Sequence, residues 1–343
     1  MDTLFEQLKI LTEIPGPVGR ETLVQTYMEE QFRSYTSDIR YDAVGNLLAH
    51  FPGNGPKTVI AAHACEVGFI ITHITEEGRA KIAPNYKTRT ADTRILPFHN
   101  VTILTDTYEP VNGVLTIDTG HIVDTETRKK VPSLNDICVE IGAASKQEVH
   151  SMGIDIGCPV TWRVHTEKMG TCAKGKTMDD RLGLQVLLRL AAFLCETEVP
   201  RDIWLASTVQ EEIGVRGAHA LASQYRVDEA YILEITPTAR GDASLQLGAG
   251  PAIVYKDGAL HYHHKLTVHC KEIAQDHDIP FQPAILERGI TDGLGFFVNS
   301  AAKPVLLGCP TLYPHSPGET IDLRDLYQLG SLVECIVQEH WCE

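Results

Sequence analysis

No stretch of about 18 apolar residues, the minimum for a membrane helix, occurs in the 343-residue chain, so no segment is read as spanning a membrane. There is no CxxC pair either; the nine cysteines stand apart at positions 65, 138, 158, 172, 195, 270, 309, 335 and 342. An odd count without paired spacing excludes a disulfide framework and points to reduced thiols in a reducing compartment. Basic charge is scarce: Lys and Arg total 30 against 45 Asp and Glu, a formal charge of −15. So acidic a chain is badly matched to phosphate backbones and anionic membrane surfaces, and no nucleic-acid or membrane partner is expected. The same acidity suits a protein that concentrates cations. The first residues, MDTLFEQLKILTEIPGP, lack a basic segment followed by an apolar one and are not read as a signal peptide. The expected location is cytoplasmic. Internal repeats and low-complexity tracts are also missing.

What is present is ordinary globular material, 43% hydrophobic and 22% charged, long enough for one large α/β domain and a second unit. Leu4, Leu8 and Leu11 recur at helical spacing, and Leu23, Tyr27 and Phe32 mark a second helix. IRYDAVGNLLAHF reads as strand, turn at Gly45-Asn46, strand, and KTVIAAHACEVGFIIT as one continuous buried strand. From about residue 70 to 162 short apolar runs alternate with turns, with one helical stretch, SKQEVHSMGI. After GKTMDDR a strand–helix rhythm returns: helix LGLQVLLRLAAFLCE, strand RDIWLASTV, strand EAYILEIT, helix HKLTVHCKEIAQDH, strand PVLLG and a long last helix. The expected fold class is α/β, a mixed, mostly parallel sheet with helices on both faces, interrupted by a small β-rich domain. The expected boundaries are 1–69 and 163–343 for the α/β domain and 70–162 for the insertion.

Sites in open α/β sheets form at the carboxyl ends of strands. Here five apolar segments end in, or run into, metal-capable residues: His63 after VIAA, Asp179 and Asp180 in TMDDR, Glu211 and Glu212 in WLASTVQEE, Glu234 in YILE, and His315 in VLLGCPTLYPH. Any one of them is equally what a solvated strand end or helix cap looks like; five in one chain are harder to read that way. Histidine and carboxylate suit a borderline divalent ion such as zinc, cobalt or manganese. Two His, two terminal Glu and one bridging Asp would make a pair of sites about 3.5–4 Å apart, leaving one glutamate as general base. In a continuing strand the two glutamates of VQEE would face opposite sides, whereas at a strand end both can reach one cavity. Burial and a carboxylate neighbour raise the base's pKa and two cations lower it, a balance the sequence leaves open.

HACEVGF, KTMDDRLG, STVQEEIGVRGA, LEIT, GITDG and PHSPGETIDLRDL occur in this order. With them the chain resembles, over nearly its whole length, the tetrahedral aminopeptidase family, whose members carry the names glutamyl aminopeptidase, deblocking aminopeptidase and endoglucanase M. The resemblance implies a catalytic domain of the zinc-peptidase (phosphorylase/hydrolase-like) fold with a dinuclear site, a PDZ-like dimerisation domain inserted in it, and dimers assembled into a dodecamer, a tetrahedron with its active sites inside. It implies His63 and Glu234 as terminal ligands of one metal, Glu212 and His315 of the other, Asp179 as the bridge, a cis Asp179–Asp180 peptide and Glu211 as general base. Many relatives have Asp where Glu234 stands.

The departure lies in HACEVG. The family usually reads His-x-Asp-Glu-x-Gly, and the Asp that orients the metal-binding imidazole is here Cys65. Such a partner is typically worth about 10–100-fold in metal affinity or activity. Three readings stand: Cys65 is a weaker neighbour while another group or a water orients His63; Cys65 is itself a thiolate ligand or redox handle; or the site is decaying. The expected function is removal of N-terminal residues from peptides by metal-activated water with Glu211 as base, using two divalent ions (Zn, Co or Mn) per subunit. The alternatives are a weakly active or non-catalytic homologue and a metal-dependent deacylase of N-acyl amino acids or peptides. An endoglucanase is disfavoured, because glycosidases set two carboxylates across a sugar without metal. HYHHKLTVH (261–269) reads as a polar helix start rather than a metal site. Asp292 reads as a turn residue or a group near the substrate or a subunit contact. GVRGAHA is half a phosphate loop and is discounted; Arg216 within it reads equally as a surface residue or as a contact to substrate or subunit.

Overall fold

The strands Lys57–His63, Asp202–Thr208, Glu229–Thr238 and Lys303–Leu312 are buried along almost their whole lengths. Continuous apolar runs are what strands covered on both faces require. In the computed structural model, which describes residues 1–85, 92–241 and 244–339, these four strands lie parallel at the centre of an eleven-stranded sheet. Their order is Asp202–Thr208, Lys57–His63, Glu229–Thr238, Lys303–Leu312. Antiparallel strands extend it: Leu47–Phe51 and Ile39–Tyr41 on one side, Glu319–Asp322, Cys172–Gly175 and Glu167–Met169 on the other. Ala252–Lys256 branches from Lys303–Leu312 and pairs in turn with Gln282–Ile285.

Successive strand residues point to opposite faces. Ile60 and Ala62 accordingly pack under Asp2–Glu13, Thr22–Phe32, Met178–Leu194, His264–Asp276 and Leu323–Gln338. Val59 and Ala61 pack on the other face under Arg216–Gln224 and Gly293–Ser300. The expected α/β class with helices on both faces is thus the observed one. Leu4, Leu8 and Leu11 are buried in the first helix, as their spacing predicts. Among the described residues no helix is long and apolar enough to cross a membrane.

The chain forms two compact units, Met1–Cys65 with His165–Glu343, and Glu66–Val164. The second is a closed barrel of six strands, Phe69–Ile74, Ala80–Pro84, Cys138–Glu140, Pro110–Thr116, Asn100–Leu104 and Pro159–Trp162. It closes around Phe69, Ile71, Val101, Ile103, Val139 and Val160, and closure leaves no free strand edge. Its helix Lys146–Ser151 lies where SKQEVHSMGI predicts one, and Ser145 caps it, accepting from the Glu148 N–H.

One expected element is corrected. KTVIAAHACEVGFIIT is not a single strand: one strand ends at His63 and the next begins at Phe69. Residues 61–69 are all buried, so burial runs unbroken across a gap in the ladder.

Candidate metal centre

Parallel strands set out their carboxyl ends in a row, and the polar residues gather there. His63 is the last residue of its strand. Glu211 and Glu212 occupy one short 3₁₀ turn, Glu211–Ile213, just past Asp202–Thr208. Asp179 opens the helix Met178–Leu194 with non-helical dihedrals, as does Asp180, and the peptide between them is cis. His315 follows Lys303–Leu312. Glu234 lies inside its strand, as EAYILEIT predicts, rather than at its last residue. Its strand runs on to Thr238, because Lys303–Leu312 stays paired with it as far as Leu312.

These residues meet. His63 Nε2 lies 2.9 Å from Asp179 Oδ1, 3.6 Å from Glu234 Oε2 and 3.9 Å from Glu211 Oε2. His315 Nε2 lies 3.3 Å from Asp179 Oδ2 and 3.4 Å from Glu212 Oε1. Asp179 thus offers one oxygen to each histidine. Ligand atoms of His63, Asp179 and Glu212 all fall within 4.8 Å of one another. Thr177, Gln210, Tyr313 and His315 hold positive φ of 54°, 54°, 58° and 60°. For non-glycine residues that backbone costs about 1–3 kcal/mol each and collects at functional sites.

Cys65 meets two groups of the site. Its main-chain oxygen lies 3.1 Å from His63 Nδ1, which leaves Nε2 to face the carboxylates. Its Sγ lies 3.4 Å from the same Nδ1 and accepts the Glu211 N–H at 3.2 Å. The sulfur is therefore on the far side of the ring from Asp179. Burial pushes the thiol up to about 12, which keeps it neutral.

The electrostatics are those of a site built for cations. Burial, reinforced by Glu212, Asp292 and Asp179, raises Glu211 well above the usual range despite His63. Burial, with Asp179 and Asp180, does the same to Glu234. Burial opposes the charge on Asp179, but bonds from His315 and His63 hold it well below the usual range. Burial likewise opposes a charged His315, yet Glu212 and Asp179 push that ring up to about 12. Glu212 Oε1 is buried without a hydrogen bond. Four acidic side chains against two imidazoles, one of them with an orphaned oxygen, fit divalent cations, which supply the missing positive charge.

Supporting residues emerge that the sequence left without a role. Asp180 is fully buried and accepts the His63 N–H at 3.2 Å and the Gly183 N–H at 3.2 Å. Glu319 accepts the His315 N–H at 2.7 Å and the Asp179 N–H at 3.1 Å. Its only signal was its place four residues past His315 in HSPGE. Glu21 accepts from Gly19 at 2.8 Å and from Gln210, the neighbour of Glu211, at 3.0 Å; nothing in GRETL marks it. Asp292 is buried and takes the Thr208 hydroxyl. Arg216 is exposed. His263 caps the helix His264–Asp276, and the histidines around it join no metal-ligand group among the described residues.

A mixed, mostly parallel α/β sheet with histidines and carboxylates converging at the ends of its central parallel strands is the arrangement of a metal-dependent hydrolase. The M42 glutamyl aminopeptidase family model matches residues 45–332, and the chain belongs to that family. It is a metal-dependent aminopeptidase, a hydrolase of peptide bonds. Among solved structures it is similar to an aminopeptidase from the archaeon Desulfurococcus kamchatkensis, with 30% identity, a TM-score of 0.92, and 99% of this chain and 95% of that one covered. It is also similar to the Pyrococcus horikoshii TET1 peptidase, which can assemble into a tetrahedron or a large octahedral shell, with 28% identity, a TM-score of 0.91, and 98% and 100% covered. The lysyl aminopeptidase of Pyrococcus furiosus is 26% identical over 352 residues, 98% of this chain and 97% of that protein.

Proposed function

We propose that the chain is a dinuclear aminopeptidase that removes N-terminal residues from short peptides with Glu211 as general base. The observation that carries this reading is Asp179, whose two oxygens face two different histidines. His63 and Glu234 would hold one ion and Glu212 and His315 the other, with Asp179 shared; zinc, cobalt and manganese all suit these donors. Bound there, the two cations supply Lewis acidity toward the scissile carbonyl and make water a better acid.

The chain's own groups do the rest. Glu211 stands at the margin of the ligand cluster, 3.9 Å from His63 Nε2, free to take a proton from water and return it to the leaving amine. Burial raises its proton affinity and the bound cations would lower it, opposing influences that bracket a group able to take and return a proton. Cys65 fixes the Glu211 backbone through its sulfur and the His63 ring through its carbonyl. That supports a working site despite the missing Asp, and favours a catalyst over a silent homologue.

By likeness to the TET1 peptidase we extend self-association to this chain, with dimers formed through the inserted β-rich domain and a dodecameric shell built from them. Its scattered, unpaired cysteines support a reducing, cytoplasmic setting. The test of the chemistry is Glu211→Gln: turnover falls by about 10²–10⁴-fold, while both ions are retained. Undiminished turnover in that variant would remove Glu211 from the mechanism.

A further inference from the structure

We infer that Glu319 is a positioning residue that sets the Glu212/His315 metal site by clamping the main chain of two ligands at once. The inference rests on the two-ion reading above. It starts from topology. The strand Glu319–Asp322 lies between Cys172–Gly175 and Lys303–Leu312, with Glu319 opposite Gly175 and Thr320 opposite Leu312. One flanking strand leads into Asp179 and the other into His315. A side chain at the first position of the middle strand therefore stands between the two departing segments.

Glu319 uses that position fully. Oε1 accepts the His315 N–H at 2.7 Å, and Oε2 accepts the Asp179 N–H at 3.1 Å. The residue is 1% exposed. Both donors are backbone groups of ligands on separate elements, so one rigid carboxylate fixes the distance between the two segments. His315 needs the restraint, since it sits at φ 60°, where a non-glycine backbone is held only by its surroundings.

A further carboxyl group beside Asp179, Glu211, Glu212 and Glu234 is costly to bury. A residue needed only for packing would be apolar at this position. A glutamine cannot replace it, because its amide offers one acceptor oxygen and turns an N–H₂ toward the second N–H. Glutamate has the two acceptors the geometry requires. His63 and Glu234 receive nothing directly from Glu319, whereas the Glu212/His315 site is held through both His315 and the shared Asp179, so the clamp bears more on that site than on the other.

The test is metal binding. Wild type, Glu319→Gln, Glu319→Asp and His315→Ala are stripped and titrated with zinc against a chromophoric chelator, with thermal melts of each stripped protein alongside. His315→Ala identifies the step belonging to the Glu212/His315 ion. We expect both Glu319 variants to weaken that same step by about 10–100-fold, the cost typical of losing a ligand's support. The other step, which Glu319 reaches only through the shared Asp179, should weaken less, and the stripped variants should stay folded and unfold cooperatively, melting somewhat below wild type because a buried N–H loses its acceptor. Wild-type affinities in both variants would overturn the inference. So would equal weakening of both steps, or a collapse of the stripped fold, which would mark Glu319 as a general structural residue. A wild-type protein that takes up only one ion would overturn the two-ion reading, and this inference with it.

Discussion

His63 Nδ1 has a main-chain partner, the carbonyl of Cys65, so removing the Cys65 side chain leaves that bond in place. What goes is the sulfur that accepts the Glu211 N–H. A buried N–H left unsatisfied costs about 1–3 kcal/mol. Cys65→Ala should therefore lower stability by about that amount, and lower kcat by no more than about tenfold, with metal affinity nearly unchanged. Denaturant melts, steady-state kinetics and chelator competition measure the three separately. Cys65→Asp should raise metal affinity severalfold and leave activity within about tenfold of wild type. A rise of several orders of magnitude from near zero would mean that the natural residue disables the site. The identities of His63, Asp179, Glu211, Glu212, Glu234 and His315 were legible in the sequence because strand ends and motifs mark them. Glu21, Asp180 and Glu319 were given no task, because they act on backbone amides distant in sequence. No residue pattern announces which amide a carboxylate will meet.

At the scale of elements, the close approach of the helix Met178–Leu194 to the strand Lys57–His63 decides where Asp179 and Asp180 fall. Gly183 makes it possible. A Cβ there would stand 2.5 Å from Asp180 Oδ2 and 2.7 Å from the Cβ of Ala62. Gly183→Ala should cost about 1–3 kcal/mol by overpacking. It should also weaken metal binding, because the displaced Asp180 carboxylate is the acceptor of the His63 N–H. Chemical denaturation checks the first effect and metal titration the second; a neutral substitution would show that the helix can move away freely. The alternating strands and helices were readable because 2.0 and 3.6 periodicities differ. The break after His63 was not, since every residue from 61 to 69 is buried whatever its backbone does. Nor was the extension from Thr236 to Thr238, which the paired strand ending at Leu312 imposes from outside its own sequence.

For the whole molecule the dominant feature is buried negative charge held together by protons or by metal. Burial raises Glu211 and Glu234 well above the usual range and Glu319 to about 8. Without metal, groups raised in this way bind protons more tightly folded than unfolded. Their stabilisation is complete below the unfolded value near 4.5 and is lost as pH rises through the folded value. For Glu319 the window is about 4.5 to 8. His315, raised from 6.5 to about 12, adds a loss in the same direction above pH 6.5. The metal-free protein should therefore melt lower at pH 8 than at pH 5.5. Zinc, which needs deprotonated ligands, should raise Tm more at pH 8 than at pH 5.5. A metal-free Tm that climbs over this range would contradict the charge assignment.

The most direct measurement is hydrolysis of matched free and N-blocked aminoacyl substrates by metal-stripped protein titrated with zinc, cobalt or manganese, with Glu211→Gln alongside. We predict release from the free-amine substrates alone, saturating at two ions per subunit, with the variant slower by about 10²–10⁴-fold. Activity confined to blocked substrates, turnover that survives in Glu211→Gln, or silence with all three metals would contradict a dinuclear aminopeptidase with a glutamate base.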